Sequence, residues 1–155
     1  MKKKEDNPRV ASNRRAHHYY ELSERMEAGL ELKGTEVKSL RGHQCNLQDG
    51  FARFDKGELF LHGVHISPFE QGNINNHEPT RPRKLLLHKS QLKRLFGLLT
   101  QKGLTLVPLS VYFTRGIAKC EIAIAKTKKA PDRRDDIKKR IAQREMDRAV
   151  KQRLK

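Results

Sequence analysis

Tryptophan is absent from the 155 residues, cysteine occurs only twice, and no apolar run approaches the ~20 residues that a membrane-spanning helix needs. A helical membrane protein is therefore excluded. Cys45 and Cys120 lie far apart and form no C-x-x-C pair, so neither a disulfide framework nor a zinc knuckle is available, and a reduced, cytosolic protein is expected. The basic start, Met1-Lys2-Lys3-Lys4, is followed by no apolar segment of the kind an export signal carries. Phosphate-cradling glycine patterns and the G-x-S-x-G elbow are also missing, which disfavours nucleotide cofactors and serine nucleophiles. His62, His65 and His77 have no cysteine or acidic partner at metal-site spacing, and the adjacent acids Asp135 and Asp136 sit among cations. The expectation is a protein without catalysis, metal or cofactor.

Acidic residues are scarce relative to basic ones, 18 against 34, giving a formal net charge of +16. That excess exceeds what solubility requires and points to a polyanionic partner. It is unevenly placed, since residues 126–155 carry 13 basic and 5 acidic side chains. About eight tail cations meeting phosphates would give a log-log salt slope of about −6 to −7. A second cluster, Arg81-Pro82-Arg83-Lys84, precedes Leu85-Leu86-Leu87. It reads equally well as an RNA-facing edge or as a loop entering a buried strand. The segment Gln71-Gly72-Asn73-Ile74-Asn75-Asn76-His77-Glu78-Pro79 is polar enough to contact bases or ribose, or simply to cap a turn. With three tyrosines, six phenylalanines and no RRM-type aromatic motif, recognition of a folded RNA by shape and phosphate contacts fits better than stacking on single strands.

The central residues alternate as strands do. Phe51 to Phe54 and Glu58 to Val64 flank Asp55-Lys56-Gly57 as one hairpin, and Leu104 to Phe113 meets Ile117 to Ile124 across Thr114-Arg115-Gly116 as another. In the last strand Lys119 and Glu121 alternate with Cys120, Ile122 and Ile124, predicting one buried and one wet face. Pro108 marks an edge or a bulge. Helical spacing over Ser90–Lys102 puts Leu92, Leu95, Phe96 and Leu99 on one face, ended by Gly103, and a short helix is predicted over Thr35–Gly42, after strand structure within Tyr19–Lys33. Short strands with few helices and no βαβ alternation favour a mainly β fold, a small barrel. The predicted divisions are a flexible basic N-terminus over 1–12, an RNA-binding domain over 13–130 and a basic tail over 131–155. In the tail, Ile137 and Ile141 fall on a different helical face from Met146, Val150 and Leu154, so no continuous stripe can dock on the body. Alone, the tail should be disordered and only conditionally helical.

The segments Asn13-Arg14-Arg15-Ala16, Glu27-Ala28-Gly29-Leu30, Gly34-Thr35-Glu36-Val37-Lys38-Ser39-Leu40-Arg41, His65-Ile66-Ser67-Pro68, Gly72-Asn73, Arg83-Lys84-Leu85-Leu86-Leu87-His88-Lys89 and Lys102-Gly103-Leu104-Thr105-Leu106-Val107-Pro108-Leu109 resemble, in order, the SsrA-binding protein (small protein B) family. The resemblance implies an OB-like closed barrel with flanking helices. It also implies a role as an RNA-binding adaptor of trans-translation. Such proteins bind the tRNA-like domain of transfer-messenger RNA (SsrA) and bring it to the A site of stalled ribosomes, the tail folding in the empty mRNA channel. The implied RNA-binding residues are Glu27, Leu86, His88, Lys119, Lys126, Lys128 and Lys129. The implied ribosome-contacting tail residues are Asp132, Arg133, Arg134, Ile137, Lys138 and Arg140, and the partners are transfer-messenger RNA and the decoding region of a ribosome, with a monomer as the working form. Thr127, Pro131 and Tyr19 depart from the family pattern. The alternatives are a structural RNA-binding protein of the ribosome and an OB-fold RNA-processing enzyme, the latter disfavoured by the lack of a carboxylate cluster.

Overall fold

The structure is a computed structural model and describes residues 9–71, 77–101 and 103–154, with side chains 130–132 left aside. Nine strands and four helices occur in the order β1 (Arg9–Ser12), α1 (Ala16–Tyr19), β2 (Tyr20–Leu30), α2 (Gly34–Arg41), β3 (Cys45–Asn46), β4 (Phe51–Asp55), β5 (Glu58–His62), β6 (His65–Ile66), β7 (Arg83–Leu86), α3 (Lys89–Leu99), β8 (Leu104–Thr114), β9 (Ile117–Thr127) and α4 (Ala130–Arg153) among the described residues. The fold is mainly β with flanking helices. All pairings are antiparallel. They run β8–β4, β4–β5, β5–β7, β7–β2 and β2–β9, then return from β9 to β8, while β1 adds to the far side of β8.

Both hairpins form where the turn residues place them. Asp55 pairs with Glu58 around Lys56 and Gly57, and Thr114 pairs with Ile117 around Arg115 and Gly116. All four turn residues have positive φ, from 49° to 80°, as a two-residue turn matched to strand twist requires. Pro108 sits at a bulge, where the β8–β9 register slips between Pro108 and Ser110. Asn13 clamps this spot, donating from its side-chain amide to the Pro108 carbonyl at 3.2 Å and the Leu47 carbonyl at 3.3 Å.

Three expectations are corrected. Arg9–Ser12, assigned from sequence to a flexible terminus, pairs with β8 as β1. Strand β9 has a wet outer face only in its first half. Further on, Ala123 and Ala125 pack with Ala16, Val107 and Leu109 under α1, while Cys120, Ile122 and Ile124 fill the main core. Alanine is small enough to let a one-turn helix sit directly on the strand. In α3, Leu95 is buried and Leu92 and Leu99 pack on the core, but Phe96 is 55% exposed and meets Phe54 edge-on instead. The tail forms one continuous helix, α4, whose Ile137, Ile141, Met146 and Val150 are all exposed, as is Leu154 just beyond its end. No helix among the described residues is long and apolar enough to cross a membrane.

The basic cluster at 81–84 turns inward. Arg83 is 1% exposed and donates from Nε to Glu36 at 3.0 Å, from Nη1 to the Val64 carbonyl and from Nη2 to the Pro79 carbonyl, both at 2.8 Å. Arg81 grips the same carboxylate through Nε at 2.8 Å and Nη2 at 2.6 Å, and Lys84 pairs with Glu58 at 2.8 Å. Glu36 also accepts the Lys33 N–H at 3.0 Å, closing the first turn of α2. The segment Gln71–Pro79 lies largely outside the described residues.

Burial of Glu36 by itself would raise its pKa, but hydrogen bonds from Arg81 and the Lys33 N–H, with the charges of Arg83 and Arg81, outweigh burial and hold the carboxyl below its usual range. Its stabilising contribution is therefore complete above the unfolded-state value of about 4.3 and is lost as pH falls through the lower folded-state value. Urea titrations should show Glu36→Ala destabilised by about 3–5 kcal/mol at neutral pH, because two guanidinium groups lose their buried counter-charge. Glu36→Gln should show a shallower loss of stability on acidification than the wild type.

Candidate nucleic-acid interface

Strand register brings several of the sequence-nominated residues into one row on the outer face of the sheet. Gly29 of β2 stands opposite Leu86 of β7 on one side and Lys119 of β9 on the other, and Lys119 stands opposite Tyr112 of β8. Glu27 lies two residues before Gly29 on the same strand, hence on the same face. Its carboxylate is held at both oxygens, since Lys119 Nζ donates to Oε1 at 2.6 Å and the Tyr112 hydroxyl donates to Oε2.

Glu27 faces Glu121 directly across the β2–β9 pair, an arrangement that would repel unless both were partnered. Ser110 Oγ donates to Glu121 at 3.1 Å and Arg25 lies 4.0 Å from it. The Lys119 hydrogen bond and then that of Tyr112 hold the Glu27 carboxyl below its ordinary pKa against the opposing effect of partial burial. Burial and the Glu27 contact push the Tyr112 phenol well above its ordinary value, so it remains a donor. Glu27 is thus a fixed, ionised acceptor whose side chain is still 46% exposed.

Leu86 is 49% exposed, although it is a leucine at one end of a sheet row. Gly29 makes its placement possible. A Cβ at position 29 would lie 3.1 Å from Leu86 Cβ and 3.5 Å from its Cδ1, so the missing side chain leaves the room into which Leu86 packs. His88 follows Leu86 by two residues, is exposed, and begins α3 with its N–H donating to Gln91 Oε1 at 3.2 Å.

The structure does not bring the remaining cations into this row. Lys126 lies seven residues along β9 from Lys119, roughly 23 Å at ~3.3 Å per residue, opposite Glu21 and Leu104. Lys128 is only 18% exposed, with Nζ donating to the His17 carbonyl at 2.9 Å and to the Asp136 carboxylate, and its N–H donating to the Tyr19 carbonyl at 2.9 Å. It fastens the start of α4 to α1. Arg133 adds to the join by lying over the Tyr19 ring, 5.9 Å from its centroid. Lys129 is exposed just before α4, and Arg134, Lys138 and Arg140 are exposed along it with Ile137. Asp132 lies outside the described side chains. Beside this join, Arg15, Tyr19, Tyr20, Asp49 and Phe51 line a hollow of about 420 Å³.

Tyr112 and Asp136 are the two participants that sequence reasoning missed. The first was recoverable, because a two-residue turn at Arg115-Gly116 fixes position 112 opposite 119. The second carried no such signal. Lys128→Met should speed amide hydrogen exchange over residues 133–137 while leaving exchange in β8 and β9 unchanged, because its contacts tie the tail helix to the body without supporting the core.

A family profile described as SmpB protein matches residues 10–152. An SsrA-binding protein from Pelotomaculum thermopropionicum is 58% identical over 146 residues, covering 94% of this chain and 95% of the relative. One from Desulforudis audaxviator is 59% identical over 142 residues, with 92% and 93% covered. A solved chain from "tmRNA-SmpB: a journey to the center of the bacterial ribosome" superposes with a TM-score of 0.66 at 55% identity, over 77% of this chain and 85% of that one. With its row of sheet residues, its basic helix and these likenesses, the chain belongs to the SmpB family of SsrA-binding proteins.

Proposed function

We propose that the chain is an RNA-binding adaptor of trans-translation that binds the tRNA-like domain of transfer-messenger RNA and delivers it to the A site of stalled ribosomes. Glu27, Leu86, His88 and Lys119 grip the tRNA-like domain. Lys126, Lys128 and Lys129 continue that surface, and the tail residues Asp132, Arg133, Arg134, Ile137, Lys138 and Arg140 meet the ribosome, with α4 ordered against rRNA in the empty mRNA channel. The ring of strand pairings is read as an OB-like closed barrel, with the body spanning 13–130 and the tail 131–155. The work is done in the cytoplasm by binding alone, without bond cleavage or cofactor.

One observation carries this reading: a single rigid strand, β9, bears Lys119 within the sheet row near one end and opens at its other end into a cationic helix. An adaptor must hold two nucleic acids at a fixed separation, and this geometry supplies it. The exposed apolar residues of α4 support a helix that finds its partner outside its own chain. The family membership and the tmRNA-SmpB structure among its likenesses point to the identity of the two RNAs.

In competition binding at fixed salt, a tRNA-like fragment of transfer-messenger RNA should displace probe far better than unstructured RNA of equal length. Equal displacement would refute the reading. Deletion of residues 131–155 should leave fragment affinity within about threefold, since tail cations contribute phosphate contacts only on the ribosome, and should abolish peptide tagging on stalled ribosomes.

A further inference from the structure

The helical repeat that turns Leu92, Leu95 and Leu99 of α3 toward the core leaves Lys93, Phe96, Gly97 and Thr100 at i, i+3, i+4 and i+7 on an adjoining, exposed face. Phe96 stays 55% exposed even though it meets Phe54 edge-on. Glycine inside a helix is less stable than almost any other residue there. Nothing among the described residues requires it, because a Cβ at position 97 would meet no atom within 4 Å beyond its chain neighbours and the helix backbone. Neither the bare ring nor the bare backbone is accounted for by the folding of this chain.

Two hollows flank the Phe54–Phe96 pair. One, of about 260 Å³, opens where β4 and β8 diverge from their pairing at Ala52 and Leu106, with Leu99 and Leu104 in its wall. The other, of about 290 Å³, is lined beside the two rings by Gly57, Leu92 and Lys93. Each falls below the roughly 300–1,000 Å³ of a small-molecule pocket and suits a single apolar side chain. The charged residues that line them, Arg53 and Lys93, are exposed cations without an ion-pair partner among the described residues. No residue of the sheet row or of α4 lines either hollow.

These features select the occupant. A nucleobase carries polar edge groups that so apolar a lining would leave unmet, whereas an aliphatic side chain has none. The tail of a second copy offers apolar residues, but its 13 basic against 5 acidic side chains over 126–155 would be repelled by Arg53 and Lys93. Complementarity calls for the opposite sign. A glycine on an exposed helix face lets another backbone come close, and an apolar ridge with a hollow on each side receives the i and i+4 side chains of an amphipathic helix.

We propose that this surface docks an acidic amphipathic helix of a partner protein. Its backbone crosses α3 at Gly97, two of its apolar side chains enter the hollows beside Phe96, and its carboxylates meet Arg53 and Lys93. This inference is independent of the adaptor reading.

The test titrates the isotopically labelled full chain with three synthetic helical peptides and follows its amide resonances. The first peptide has leucines at i and i+4 on a face bordered by glutamates, the second replaces the glutamates with lysines, and the third replaces the leucines with alanines. The first should shift Phe54, Phe96 and Gly97 and bind there about tenfold more tightly than either of the others. Gly97→Gln gives α3 a better helix former and should melt no lower than the wild type, yet weaken the first peptide by about tenfold. Arg53→Ser combined with Lys93→Ser should cut the preference for glutamate over lysine by about fivefold. Shifts that the alanine peptide produces equally well, or that fall on α4 instead, amount to counterion attraction and overturn the proposal. So do unchanged affinity in Gly97→Gln and the absence of any shift at Phe54 and Phe96. Tighter binding of a single-stranded oligonucleotide at the same residues makes the surface an RNA site, and concentration-dependent shifts without peptide make it a contact between copies; either result overturns the assignment.

Discussion

One buried carboxylate joins parts of the chain that are distant in sequence. Glu36 sits in the first turn of α2, and the two guanidinium groups that hold it come from the approach to β7 and from β7 itself. Arg83 extends the join to the carbonyls of Val64 and Pro79, so the loop before β6 and the return into β7 are set by the same ion. Removing three charged groups from water is costly, and a well-packed apolar substitute could match the stability. What the ions add is direction: each guanidinium has donors that must be met at defined angles, which fixes β7 relative to α2. Leu86, at the end of β7, inherits its position from that constraint.

The second constraint is the use made of β9. Its first half has an interior face and a half-exposed outer face, and residues 122–125 are buried on both sides. A strand sealed on two sides cannot flex against its neighbours, so the cationic end and the sheet row keep a constant separation. The contacts at Lys128 and Arg133 then set the initial direction of α4, beyond which nothing among the described residues covers the apolar residues. Rigidity inside the body and freedom outside it are both consequences of where small and large apolar side chains fall.

Much of this was legible in the sequence because it depends on local chemistry. Lys56-Gly57 and Arg115-Gly116 announce their turns, Pro108 announces an irregularity, and the spacing of Leu92, Leu95 and Leu99 announces a helix. The sheet row was reached only through family resemblance, since Glu27 and Leu86 have no local pattern that marks them. What stayed illegible depends on partners far along the chain. Arg81 and Arg83 look like surface cations until α2 delivers Glu36. Ala123 and Ala125 look like solvent-facing positions until α1 covers them. Phe96 has the right helical spacing for burial, but the core is already filled by Leu95 and its neighbours, and Phe54 receives its ring instead.

The tip at Arg115-Gly116 acts as a ruler. Because side chains alternate sides along a strand, the two-residue length of that loop decides that the phenol at 112 and the amine at 119 emerge together. Lengthening the tip by one residue would send one of them inward and leave the acid between them with a single donor, though no residue in the row had been altered. Loop length at the far end of a hairpin is therefore as much a determinant of this row's chemistry as the identity of its side chains.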